Sequence, residues 1–136
     1  MILLGRKKRN EYIKFQGKEA FDKSVGHALD GIEYTINHER NIKIQILAGI
    51  CASILGFLLN ISIVEWAIIV MVIGMVLALE LINTAIERCV DLVTKDYHDL
   101  AKAAKDAAAG AVLIMSLFSV IVGIVIFLPK IIALFK

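Results

Sequence analysis

Leu79-Glu80-Leu81-Ile82-Asn83-Thr84-Ala85-Ile86-Glu87-Arg88-Cys89-Val90-Asp91 decides how this chain is built. It begins as the tail of an apolar run and carries acids into it. On a helix turning about 100° per residue, Glu80, Asn83, Glu87 and Asp91 follow spacings of three, four and four and fall in one stripe. Leu81, Ile82, Ala85, Ile86 and Cys89 cover the other faces. The stripe is roughly 16 Å long at about 1.5 Å per residue. Glu80 follows fourteen uncharged residues, Trp66 to Leu79. A carboxylate beside hydrocarbon is expensive, so it belongs in a protein interior or a polar cleft. The competing account is a solvated helix end leaving a membrane. That account suits Asp91 alone, but it gives no reason for Glu80, Asn83 and Glu87 to share a face.

The rest of the chain agrees with a membrane setting. Its 136 residues are 59% hydrophobic and only 21% charged, too apolar for a soluble domain of this size. The net charge of +2 gives no reason to expect a nucleic-acid partner. One Pro, no linker composition and no internal repeat imply a single domain over residues 1–136. Cys51 and Cys89 lie in apolar runs and read as small packing residues. The expected fold class is an all-α membrane protein, with three transmembrane helices preceded by an amphipathic helix in the membrane interface.

Met1 to Leu4 is too short for the hydrophobic region of a signal peptide. Arg6-Lys7-Lys8-Arg9 is either a frayed terminus or a contact for anionic headgroups. Residues 17–41 form the amphipathic element, with Phe21, Val25, Ala28, Leu29, Ile32 and Ile36 on one face. Glu39, seven positions after Ile32, projects from that apolar face. It either snorkels to water or points at a cation.

Residues 44–64 carry no charge and satisfy the length of a bilayer span. Ala48, Gly49, Ala52, Ser53 and Gly56 let another helix approach closely. Asn60 and Ser62 mark a turn, and Trp66 follows at the depth of an aromatic anchor. The second span covers 66–94. Lys95 to His98 is a polar connection, and Asp99 is a candidate N-cap. The third span covers 99–128 and stops before Pro129. Nine Lys or Arg precede residue 44 and four lie between Arg88 and Lys105, whereas the turn between the first two spans has none. The positive-inside rule then puts the N-terminus and the acidic stripe on the cytoplasmic side.

That side gathers Glu80, Asn83 and Glu87 with Glu39, Lys105 and Asp106. Carboxylate oxygens suit Mg²⁺, which keeps waters and substrate phosphates as further ligands. A lysine suits a polyphosphate, and a further carboxylate suits a base for a hydroxyl nucleophile. Phosphoryl transfer needs little else. No Walker-type or protein-kinase glycine loop is present, so a kinase here must use another site. Periodicity alone equally allows a small oligomeric cation or proton transporter, since membrane acids line those too. A structural membrane subunit would have no use for the stripe.

Here the chain resembles a known family. E-L-I-N-T-A-I-E-R-C-V-D at Glu80–Asp91 and D-Y-H-D-L-A-K-A-A-K-D-A-A-A-G-A-V-L at Asp96–Leu113 are similar to the signatures of the small bacterial membrane lipid kinases, diacylglycerol kinase and undecaprenol kinase. The resemblance includes Glu39 and the three-span layout and covers everything after about residue 20. It implies ATP- and Mg²⁺-dependent phosphorylation of a membrane lipid alcohol in the bacterial cell membrane. Glu80 would be the base and Asn83 would position the reacting groups. Glu39 and Glu87 would hold Mg²⁺ on the ATP phosphates. Asp96, Tyr97, His98, Lys105 and Asp106 would contact ATP, with Asp91 in support. It also implies a homotrimer. Forms from Gram-positive bacteria typically carry K-A-A-K-D-A-A-A-G-A-V and F-L-P-K, as at Lys102–Val112 and Phe127–Lys130, and act on undecaprenol. That lipid is the expected acceptor, with diacylglycerol as the alternative.

Overall fold

The computed structural model describes the backbone of residues 2–135 and the side chains of residues 20–135. The chain is all-helical: α1 (Ile2–His38), α2 (Arg40–Leu58), α3 (Ile63–Val93) and α4 (Asp99–Ala133). It divides into two compact units, residues 1–37 and 38–136. The first unit is helix α1. Phe21, Val25, Leu29 and Ile32 are exposed along it. The helix begins well before the expected residue 17, because residues 2–16 contain helix formers and no Pro to stop it. The basic cluster at 6–9 lies outside the described side chains.

In the second unit, α2, α3 and α4 are each long and apolar enough to cross a membrane. Several boundaries differ from expectation. α2 ends at Leu58 instead of reaching residue 64, because Asn60 turns the chain at φ 49°. Asn is among the residues that tolerate this left-handed conformation best. Ser62 then starts α3 with a capping box: its hydroxyl accepts from the Glu65 N–H, and the Glu65 carboxylate accepts from the Ser62 N–H at 2.6 Å. His98, not Asp99, caps α4; its Nδ1 accepts from the Leu100 N–H at 3.2 Å. Pro129 does not end α4, which continues to Ala133.

α3 and α4 run antiparallel and are tied at both ends. Lys130 reaches Glu65 at 3.2 Å, and Lys105 pairs with Asp91. Glu65 and Asp91 are about 39 Å apart at 1.5 Å per residue. That is close to the full thickness of a bilayer with its headgroups. The core at the Lys130 end is formed by Ile61, Ile69, Ile126 and Phe127. Leu47, Ile50, Ile54 and Phe57 of α2 and Leu117, Phe118 and Ile121 of α4 face outward. Such faces suit hydrocarbon as the surrounding solvent. Cys51 and Cys89 are exposed as well.

The small residues of α2 serve its contact with α3. A Cβ on Gly49 would come within 3.1 Å of Ile73, and one on Gly56 within 3.0 Å of Ile61 and 3.1 Å of the Trp66 ring. Trp66 also meets Phe57 in a tilted pair with ring centroids 4.8 Å apart. Gly56→Leu is therefore expected to cost about 1–3 kcal/mol by overpacking. Gly74→Ala, which meets open space, is expected to cost nothing. Thermal unfolding midpoints in one detergent check both.

Candidate active site

The site begins with the deepest acid. Glu80 is only 2% exposed, the most fully enclosed large side chain among the described residues. It lies eleven residues, about 16 Å, along α3 from Asp91. Gln45, from the second turn of α2, donates its Nε2 to Glu80 Oε2 at 3.0 Å. The Gln45 Oε1 is closed off and has no partner. Gln45 also borders an apolar groove of about 390 Å³ walled by α2, α3 and α4, including Ala48, Val72, Ser116 and Ser119. Thr84 donates its hydroxyl to the Glu80 backbone carbonyl at 3.0 Å, which satisfies that buried hydroxyl within its own helix.

One turn on, Asn83 Nδ2 donates to Glu87 Oε1 at 3.1 Å. The stripe spacing thus produces a real contact between its second and third members. Asn83 is buried, and its Oδ1, like the Gln45 oxygen, lacks a partner. Glu39 occupies the single non-helical position between α1 and α2, with φ −105° and ψ 132°. It is the N-cap of α2, yet its side chain makes no capping bond, because it accepts from Arg88 Nη2 at 2.7 Å. The cation that Glu39 faces is therefore Arg88, adjacent in sequence to Glu87.

No group of three or more His, Cys, Asp or Glu side chains converges among the described residues. A cage made wholly of protein ligands is not what this arrangement offers. The Glu87 carboxylate, oriented by the Asn83 Nδ2 donor, is a hard oxygen ligand. It fits Mg²⁺, which is commonly held by one or two carboxylates with substrate phosphates.

Asp91, Asp96, Tyr97, His98, Lys105 and Asp106 all line one open cleft of about 230 Å³, where α3 passes into α4. Glu39, Glu80, Asn83 and Glu87 do not line it. Lys95 and Lys102 add further charge to its walls. Lys105 pairs with Asp91, and Lys102 pairs with Asp106. An ammonium has three donors, so each lysine can keep its carboxylate and still reach a phosphate. Tyr97, 80% exposed, lines the same cleft.

Sequence reading missed Gln45, Arg88 and Thr84. A lone amide inside the run 44–59 is a signal of the same kind as Glu80, since a polar side chain at that depth needs a partner. No sequence signal marks the Glu39–Arg88 pair, whose members are 49 residues apart.

Comparison with known proteins gives one consistent answer. The family model for prokaryotic diacylglycerol kinase matches residues 26–127. The chain is 53% identical to the undecaprenol kinase of Bacillus subtilis over 110 residues, 81% of this chain and 89% of that protein. It is 39% identical to a diacylglycerol kinase of Synechocystis over 112 residues, 82% of this chain and 64% of that protein. It is 27% identical to the diacylglycerol kinase of Escherichia coli over 99 residues, 73% of this chain and 81% of that one. The matched region contains Glu39, Gln45, Glu80, the cleft, α2, α3 and most of α4, and the chain belongs to the prokaryotic diacylglycerol kinase family.

Proposed function

We propose that the chain transfers the γ-phosphoryl group of ATP to the hydroxyl of a membrane lipid alcohol, with undecaprenol as the preferred acceptor. The observation that carries this reading is the enclosed Glu80, held by Gln45 in a chain of a kinase family. The undecaprenol preference is supported by the 53% identity to an undecaprenol kinase. Diacylglycerol is the second reading, supported by the diacylglycerol kinases at lower identity. Neither the family nor any of these relatives is a transporter.

Glu80 accepts the hydroxyl proton, and the freed oxygen attacks the γ-phosphorus. The bond to the bridging oxygen breaks, and ADP leaves from the cleft. Asn83 orients Glu87 through their hydrogen bond. Glu87 would hold Mg²⁺, joined by Glu39 once it leaves Arg88, and the charge of the ion would offset that of the ATP phosphates. Lys105 contacts phosphate; Asp96, Tyr97 and His98 flank the nucleoside, with Asp106 and Asp91 holding the lysines. Residues 1–136 act as one kinase domain, α1 lies in the membrane interface, and the functional unit is a homotrimer in the bacterial cell membrane.

The function test compares undecaprenol with diacylglycerol in one micelle assay, using labelled γ-phosphate and Mg²⁺. Undecaprenol should give the higher kcat/KM; a preference for diacylglycerol transfers the assignment to the second reading. The cytoplasmic placement of the cleft predicts that a cysteine at position 62 is labelled by impermeant reagent from outside only. Labelling from the cytoplasmic side alone would invert the topology and separate the acids from ATP.

A further inference from the structure

Glu80 and Glu87 are each held by a carboxamide whose carbonyl oxygen has no partner. At Glu80 that carboxamide comes from another helix, 35 residues away. We propose that Gln45 is a positioning residue for Glu80: its amide aims the carboxylate before proton transfer and accepts the new O–H afterwards. This rests on the reading of Glu80 as the base.

The argument is one of donors and acceptors. A carboxylate accepts only, whereas a carboxylic acid also donates. A base inside a protein therefore needs a neighbour that serves both forms. A lysine or arginine serves only the ionised form, since neither has an acceptor. A carboxamide carries two donors on nitrogen and an acceptor on oxygen. Its terminal torsion is broad and roughly two-fold, so half a rotation exchanges one for the other. Gln45 meets both conditions. Its Nε2 donates to Glu80 Oε2 at 3.0 Å, and its Oε1 is enclosed without a donor. An enclosed acceptor left unmade costs free energy, so such an oxygen calls for a use.

The reaction then balances within the pair. The lipid O–H bond breaks, its oxygen bonds the γ-phosphorus, and the bond to the bridging oxygen breaks as ADP departs. The proton stays on Glu80 as an O–H, which donates to Gln45 Oε1. Transfer of that proton to the new phosphate monoester as it leaves restores the carboxylate and the Nε2 bond. Gln45 takes no proton at any step.

The test uses the full chain in vesicles containing undecaprenol, with Mg²⁺ and ATP. Gln45→Met keeps the length and removes both hydrogen-bonding groups. It is expected to lower kcat about 10–100-fold, the scale of a misplaced reacting group. Both KM values should stay within about twofold. In a Glu80→Gln background the same change should cost no more than about twofold, because the group it positions is gone. Where the methionine variant does not fold, Gln45→Asn replaces it; the shorter amide should likewise lower kcat with KM kept. Multiplying losses in the double variant, or a raised KM with normal kcat, would overturn the positioning role. Normal kcat in Gln45→Met beside an inactive Glu80→Gln removes this proposal and leaves the base intact. An active Glu80→Gln removes the base reading itself.

Discussion

Glu80→Gln is expected to lower turnover by about 10²–10⁴-fold, the usual contribution of a positioned base. ATP affinity should remain near normal. Glutamine has the same shape as glutamate, so the α2–α3 contact at Gln45 can re-form through either end of the two amides. What the variant loses is the capacity to accept a proton. Glu80 is 2% exposed, so bulk water is poorly placed to take over. Initial rate and nucleotide affinity, measured on one preparation, decide the matter. Near-full turnover would sink the base assignment. Loss of ATP binding together with turnover would instead put Glu80 among the metal and phosphate ligands.

The second large effect concerns Glu87. If it ligates Mg²⁺, Glu87→Gln should raise the Mg²⁺ concentration for half-maximal rate at least about 10–100-fold, since even residues that only orient a ligand cost that much. Membrane insertion should be unaffected, because Glu87 is only half-buried and contacts Asn83 within its own helix. Asn83→Ala provides the comparison. It leaves the carboxylate but removes the donor that orients it, and should give a smaller shift in the same direction. An unchanged Mg²⁺ requirement in Glu87→Gln would remove Glu87 from the ligand set.

Much of this was legible because membrane sequences obey strict accounting. Uncharged runs of bilayer length mark spans, and α2, α3 and α4 contain them. Polar residues at helical spacing within such a run share a face, and Asn83 does bond Glu87 one turn away. Of the small residues of α2, Gly49 lies against Ile73 and Gly56 against Trp66. Helix ends were less legible. Pro129 reads as a stop, yet its lost hydrogen bond and ring clash cost only about 3 kcal/mol, and α4 passes through it. α2 stops early because Asn60 adopts φ 49°, a conformation that composition only permits. Pairings between helices were the least legible part. Gln45 with Glu80 and Arg88 with Glu39 join positions 35 and 49 residues apart, and register between helices is fixed only once they pack.

The depth of Glu80 has a kinetic consequence. About 16 Å separates it from Asp91 along α3, beside a groove walled by hydrocarbon side chains. If Glu80 is the base, an acceptor reaching it would arrive by sideways diffusion within the bilayer, and ATP alone would arrive from water. The concentration that matters for the lipid is then its mole fraction in the membrane, not its amount per volume. Diluting vesicles at fixed composition should leave the rate per enzyme unchanged. Adding inert phospholipid at fixed total acceptor should lower it in proportion to the surface dilution. With Glu80 as the base, turnover would follow how much free lipid alcohol the membrane holds.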